Sequence, residues 1–499
     1  MTNFSRQEEL VLGLDIGTSA VKVTAINYRG ESVSTCEQGL TVRSPRPNWS
    51  EQDPRDWWEA TSRALQEITS KVSPDLISAV GLTGQMHSPA LLDETDNVIR
   101  PSILWNDGRT TPQCERLTMA LGTETLTDAI GNRILEGFTA PKILWLKDNE
   151  KPNFDRLSSI LIAKDYITFR LTGEKITEPS DASGTLMLDL RTGTWSTKML
   201  DALQVSKDML PRIVESTSTA GYISKTAAKE TGLTVSTPIV AGGADNAVSA
   251  LSTGGVTSRT CQISIGTSGT VLLPNEHPNV DSSLKLHCFS HCIPRTWYSM
   301  GTILSAGNSL KWFREKILSN MYPFSELDHA AQNTNAGSDD LIFLPYLNGE
   351  RTPHNNPHAR GIFFGLNTSH TYAHMTRSVM EGVAFALKES VNIINQSSES
   401  PSKYIVTGGG AKSNLWVDIL SNVLEVPLYR TTSITGASYG AGMLAALNQR
   451  WFTSAKDITN LWVSSELSSI PNPDMKETYH ASFDNYRTLY QKLSSMFKS

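Results

Sequence analysis

Cysteine is scarce in this chain, with five in 499 residues (Cys36, Cys114, Cys261, Cys288 and Cys292) and no C-x-x-C pair. So small and odd a number excludes a disulfide framework and fits a reducing, cytoplasmic setting. Basic residues are in deficit, 44 Lys and Arg against 50 Asp and Glu, for a net charge of −6. No basic face therefore argues for nucleic acid. No apolar run approaches the ~20 residues that span a bilayer. The opening stretch MTNFSRQEEL carries no apolar leader segment, so neither membrane insertion, secretion nor organelle import is expected. A Walker-type G-x-x-x-x-G-K-[ST] is missing, and so is a G-x-G-x-x-G opening a helix after the first strand, which disfavours a P-loop and a dinucleotide site. The tract LHCFSHC offers His287, Cys288, His291 and Cys292. These pairs lie too close together for a structural zinc site without outside ligands, and a partly buried strand is the expected reading.

What is present is ordinary globular composition, 39% hydrophobic and 19% charged, at a length that calls for several domains. The sequence also answers itself. GLDIGTSAVKVTAI at 13–26 is echoed by QISIGTSGTVLL at 262–273. Each reads as a strand, an Ile-Gly-Thr-Ser turn and a second strand, and the echo spans about half the chain. Such self-similarity points to two related lobes.

The segments between alternate helix and strand. Asp53 and Pro54 read as N-cap and first position of a helix in which Trp57, Leu65, Ile68 and Val72 recur at helical spacing. LISAVGLTGQMHSPALLD reads as strand, turn, strand. TAPKILWLKDN begins a helix whose Trp145 and Leu146 belong to the core. TPIVAGGADNAVSAL and SKYIVTGGGAKSNLWVDILSNVL each read as strand, glycine turn and helix. The Gly/Ser/Thr-rich stretch Leu251–Ser258 marks the expected boundary, dividing lobes 1–252 and 253–499.

The first echo ends its strand in Asp15. An unpaired buried carboxylate is costly, so it should face a cation or a ring of donors. The Gly-Thr-Ser turn after it offers hydroxyls and free N–H groups that suit phosphate oxygens. A metal-bound polyphosphate satisfies both, although a plain hairpin explains the same residues. Gly17-Thr18, Gly266-Thr267 and Gly408-Gly409-Gly410 make three glycine turns after strands, each able to present N–H groups to phosphate.

Along nearly its whole length the sequence resembles the FGGY carbohydrate kinases. GFTAPKILWLKDN (137–149) and GIFFGLNTSHTYAHMTRSVME (361–381) match the two patterns of that family. WSEQDP (49–54), GQMHS (84–88), LWNDGR (104–109), GADNA (243–247) and LNGERTPHNNP (347–357) resemble its xylulose-phosphorylating branch. QMHS also resembles gluconate kinases. The resemblance implies an α/β actin/hexokinase-like ATPase fold, with duplicated ribonuclease H-like domains around a central cleft. It also implies transfer of phosphate from ATP, with Mg²⁺, to D-xylulose. A gluconate or other polyol kinase is the alternative within the family. A sugar-responsive regulator or an actin-like ATPase is the alternative outside it, the regulator needing an added helix-turn-helix or basic region if it bound DNA.

Residue by residue, the resemblance implies Asp245 as catalytic base and Asp15 beside the ATP phosphates, holding Mg²⁺ through water. Met86, His87 and Asn246 match the sugar-binding positions, with Asn106 and Asp107 closing the pocket. Thr18 and Thr267 match phosphate contacts, and Gly307, Gly410, Ala411 and Asn414 the nucleoside end. Lys22 is open to a phosphate role or to a plain strand face. Arg351 and His354 are read as closing a loop at the lobe interface. Tyr439 stands where many relatives have Leu, which puts nucleotide preference in question. Sugar and ATP are the implied partners, with no nucleic acid and no membrane, and a homodimer is left open.

Overall fold

The computed structural model describes residues 8–257, 259–397 and 400–497. Most of the opening stretch MTNFSRQEEL, and Ser258 at the end of the expected boundary, lie outside them. Two sheets organise the α/β chain. The first runs Thr219–Tyr222, Pro238–Ala244, Ile77–Gly84, Leu10–Ile16, Ala20–Asn27, Ser32–Gly39. The second runs His287–Ser290, Trp297–Ile303, Gly269–Asn275, Thr260–Ile265, Lys403–Thr407, Leu428–Thr431, Ser465–Ser469.

Both sheets repeat one pattern. Leu10–Ile16 pairs antiparallel with its hairpin partner and parallel with Ile77–Gly84, which is parallel to Pro238–Ala244. Thr260–Ile265 likewise pairs antiparallel with Gly269–Asn275 and parallel with Lys403–Thr407, which is parallel to Leu428–Thr431. The sequence echo is thus a duplicated topology, with each Ile-Gly-Thr-Ser turn at the end of a central strand.

The expected local elements form. Asp53 caps the helix Pro54–Lys71 by accepting from the Arg55 N–H. Trp57, Leu65 and Ile68 are buried, while Val72 lies just past its end. Helices Thr139–Asn149, Asp245–Ser252 and Asn414–Leu424 follow their predicted segments. His287 and Cys288 sit in a buried strand, where His287 Nδ1 pairs with Asn132 Oδ1 at 2.9 Å.

The small-residue helix Ala437–Asn448 comes late in the sequence yet packs on the first sheet. A Cβ on Gly13 would lie 1.7 Å from the Ser438 carbonyl, and one on Gly81 would lie 2.0 Å from that of Ala441. The glycines in these two strands are therefore set by helix approach. Tyr439 faces this interface, and its hydroxyl donates to the Gly30 carbonyl at 2.7 Å beside Trp462. Its side chain is committed there, away from the glycine turns of the second sheet, and nothing about nucleotide choice follows from it. Among the described residues no helix is long and apolar enough to cross a membrane.

Candidate active site

Asp15 ends the first strand half-buried, and its cross-strand neighbour is Lys22. Lys22 in turn faces Glu37 on the next strand. Burial pushes the Asp15 carboxyl up to about 7; nearby Asp245 adds to the rise and Lys22 opposes it. Lys22 thus acts as a cross-strand counter-charge.

Asp245 follows a distorted strand end. Gly242 has φ +79°, and a Cβ there would fall 1.7 Å from the Leu82 carbonyl. The Ala244 N–H donates to Ser180 Oγ at 2.8 Å, which anchors the backbone just before the carboxylate. Asp245 Oδ1 accepts from the Asn246 N–H at 2.7 Å and from Asn246 Nδ2 at 3.0 Å. Ala244 occupies the cap position, and Asp245 is the first helical residue. Burial raises its carboxyl to about 6, against those two hydrogen bonds. A helix N-terminus favours a carboxylate, but here desolvation outweighs it.

The sugar-side residues meet at this point. Asn246 Nδ2 lies 3.5 Å from Met86 Sδ. Helix Pro179–Gly184 ends against Met86 and the His87 ring, so a Cβ on Gly184 would lie 2.6 Å from Met86 Cε. His87 adopts φ +76°, a conformation that needs support from its surroundings. Its carbonyl accepts from Thr139 Oγ1 at 3.0 Å and Lys142 Nζ at 2.9 Å. Burial keeps the ring neutral. Nδ1 donates to the Gly184 carbonyl, which leaves Nε2 as an acceptor.

Two of the predicted site residues are spent elsewhere. Asp107 accepts from the Ser50 N–H at 2.6 Å and from the Arg109 guanidinium at 2.7 and 2.9 Å. Arg109 also stacks over Trp49 and pairs with Glu51. Asp107 thus joins the WSEQDP and WNDGR segments, and its oxygens are filled. Asn106 beside it is exposed. The Thr18 hydroxyl accepts from Trp105 Nε1 at 2.9 Å and reaches Gln85 Oε1 at 3.4 Å, so its side chain fixes the turn. Gln52 holds the Thr18 carbonyl and is held by Trp57 and Gln85.

On the second sheet the glycine turns converge. A Cβ on Gly307 would lie 2.6 Å from the Gly266 carbonyl, one on Gly408 2.7 Å from that of Ile265, and one on Gly410 2.4 Å from Ile265 Cγ2. The space a side chain would take is filled at each of these positions, and the Gly307 N–H is donated to the Gly266 carbonyl at 2.7 Å. Thr267 is exposed at the tip, Ala411 is buried behind it, and Asn414 opens the following helix. Arg430 donates to Asn414 Oδ1 at 2.7 Å.

Sequence reasoning did not single out Gln52, Gln85 and Trp105, although all three lie in quoted motifs. It had no local signal for Lys142, Ser180 or Arg430, whose partners are far away in the chain. Arg351 was assigned to a loop, and that loop does reach the first lobe: a Cβ on Gly137 would lie 2.8 Å from an Arg351 guanidinium nitrogen. Its charge also depresses His87 and His287, behind the larger effect of burial.

Residues 10–252 match the N-terminal domain, and 261–448 the C-terminal domain, of the FGGY family of carbohydrate kinases. The chain is 37% identical over 485 residues to a xylulose kinase of Escherichia coli, covering 97% of this chain and 99% of that one. It is 27% identical over 497 residues to a gluconokinase of Bacillus subtilis, covering 98% and 96%. Its structure is similar to that of the ligand bound xylulose kinase from Lactobacillus acidophilus, with a TM-score of 0.93 at 27% identity over 98% of this chain and 99% of that one. Full-length likeness in sequence and topology, over a site of paired carboxylates and glycine turns, shows that this chain belongs to the FGGY family of carbohydrate kinases, enzymes that phosphorylate a sugar with ATP.

Proposed function

We propose that the chain phosphorylates D-xylulose at O5, giving D-xylulose 5-phosphate and ADP, with Asp245 as the base. The observation that carries this reading is Asp245 itself, a half-buried carboxylate raised to about 6 and bonded to Asn246, whose amide reaches Met86 in the His87 turn. A base needs a pKa near the working pH; at about 6 Asp245 is ionised at neutrality and still basic enough to take a proton. It accepts the sugar hydroxyl's proton as the oxygen closes on the γ-phosphorus, late in a loose transition state. Asn246, Met86 and neutral His87 orient the sugar, with His87 Nε2 accepting from a hydroxyl.

The turns at Gly266, Gly408 and Gly410 supply N–H groups to the nucleotide phosphates, with Thr267 at the tip, while the Gly307 N–H is donated to the Gly266 carbonyl at 2.7 Å and holds the two turns together. Ala411 and Asn414 lie toward the nucleoside, where Arg430 holds the Asn414 side chain. Asp15 fits a cation: its carboxylate forms no hydrogen bond or ion pair with another described residue, and it faces a second carboxylate. It would hold Mg²⁺ through water, and the ion would neutralise charge on the transferring phosphoryl group. Thr18, Trp105, Gln52 and Gln85 keep that first turn in place. The five cysteines are all unpaired and buried, which supports a reducing, cytoplasmic setting.

A second reading, a sugar acid as acceptor, is favoured by one observation. The Arg351 guanidinium acts on His87 with no carboxylate paired to it within 4 Å among the described residues. Coupled ADP release across D-xylulose, other ketoses, polyols and gluconate decides between them. We expect the highest kcat/KM with D-xylulose. A higher value with gluconate would overturn the substrate while leaving the kinase intact.

A further inference from the structure

On the second lobe, the helices Tyr372–Ser397 and Lys476–Leu493 and the turn that carries Arg351 line a cavity of about 480 Å³ that is open to solvent on one side. None of its lining residues belongs to the site described above. Its volume suits a small metabolite. Glu389 lies in its wall, and Oε2 is buried with no hydrogen-bond partner. His354 Nε2 is 3.6 Å away, beyond hydrogen-bond reach, and is bonded to the Tyr346 hydroxyl at 3.0 Å. Burial, with Lys285 assisting, holds His354 down to about 4, so it is neutral and supplies no counter-charge. Tyr490 stacks on the His354 ring at 3.5 Å between centroids and gives the cavity one flat wall.

Two exposed cations, Lys285 and Arg487, also line the cavity. Both act electrostatically on Glu389, opposing the burial that raises its carboxyl to about 7. Neither forms an ion pair within 4 Å among the described residues. A buried carboxyl oxygen without a partner is unfavourable, and two unpaired cations beside it attract a dianion. A ligand that satisfies both features carries a phosphate and a hydroxyl. A nucleotide is served by the glycine turns of the second sheet, which lie elsewhere.

We propose that this cavity binds a small hydroxyl-bearing phosphate monoester, with its phosphoryl oxygens on Lys285 and Arg487 and a hydroxyl on Glu389 Oε2. Titration calorimetry on the full chain tests this, with the active site filled by D-xylulose and a non-hydrolysable ATP analogue. The probes are glycerol 3-phosphate, D-xylulose 5-phosphate, inorganic phosphate and glycerol. Both esters should bind one to one, inorganic phosphate at least about tenfold more weakly, and glycerol not detectably. The tighter ester tells whether the occupant is the reaction's own product or another polyol phosphate. The double variant Lys285→Glu/Arg487→Glu changes only exposed side chains and should weaken ester binding at least about tenfold. Glu389→Ala should erase the preference for esters over inorganic phosphate. Ester binding unchanged in the double variant, or no ester binding at millimolar concentration, would overturn the proposal.

Discussion

Asp15 and Asp245 are the two raised carboxyls of the candidate site. Each is raised by burial, and Asp245 raises Asp15 further. Asp245 is held at about 6 and Asp15 at about 7, so both change charge in that window. If both must be ionised, kcat/KM measured against pH should fall on the acid side through that window, and a profile flat down to pH 5 would count against the pair. Asp245→Asn keeps size and hydrogen bonding to Asn246 but removes charge and basicity. It should lower kcat at least ~10²-fold, the low end for loss of a general base. The stability effect has the opposite sign. A raised carboxyl binds protons more tightly in the native state than in the unfolded chain, so these two groups make stability fall as pH rises from about 4 to about 7. Asp245→Asn should therefore melt no lower than the wild type at pH 8. Because the cap position belongs to Ala244, a merely structural Asp245 would predict an active variant, and high activity would remove the catalytic assignment.

Elements explain why glycine recurs where it does. Helix Ala437–Asn448 lies so close to the first sheet that Gly13 and Gly81 meet its carbonyls, while Gly440 meets the Val248 carbonyl of the helix Asp245–Ser252, where a Cβ would stand at 2.0 Å. Gly81→Ala should force strand and helix apart. Overpacking of this kind costs about 1–3 kcal/mol, read as a lower denaturation midpoint at unchanged m-value. A midpoint equal to wild type would mean that the helix yields freely. Local pattern made the elements legible: Asp53-Pro54 marked a helix start, and the repeated Ile-Gly-Thr-Ser marked equivalent central strands. Contacts in the candidate site were legible only where one motif supplies a whole interaction, as Asp245 and Asn246 do within GADNA. Thr18 and Asp107 were misleading because their hydroxyl and carboxylate are claimed by Trp105, Ser50 and Arg109 across folds of the chain that no spacing reveals. Arg351 was legible as a residue of the lobe interface, but not its particular neighbours there, since Gly137 lies more than 200 residues back in sequence.

At the scale of the molecule, three chain crossings join the sheets. One leaves the helix Asp245–Ser252 for the strand Thr260–Ile265, a second leaves the strand Leu428–Thr431 for the helix Ala437–Asn448, and a third returns from the helix Ala455–Trp462 to the strand Ser465–Ser469. The first two touch, because the Gly436 N–H donates to Ser252 Oγ at 3.1 Å. Each contains a glycine at positive φ, Gly254 at +83° and Gly436 at +115°, where backbone torsions change with little steric cost. The division expected at 252/253 does not hold throughout, because helices Ala437–Asn448 and Ala455–Trp462 pack on the first lobe, and we infer that the hinge between the two lobes lies at these first two crossings. Phosphoryl transfer must exclude water, which the joint arrival of sugar and nucleotide achieves by closing the lobes. A compact chain of this length has a radius of gyration of about 23 Å, and an open two-lobed one exceeds it. Small-angle scattering should show the radius falling toward that value with D-xylulose and a non-hydrolysable ATP analogue together, and falling less with either alone. Gly436→Val places a β-branched residue at a φ it rarely adopts, so the variant should bind each ligand but compact less and turn over more slowly. An unchanged radius at saturation in the wild type would rule out closure. Full compaction in Gly436→Val would move the hinge away from this pair of crossings.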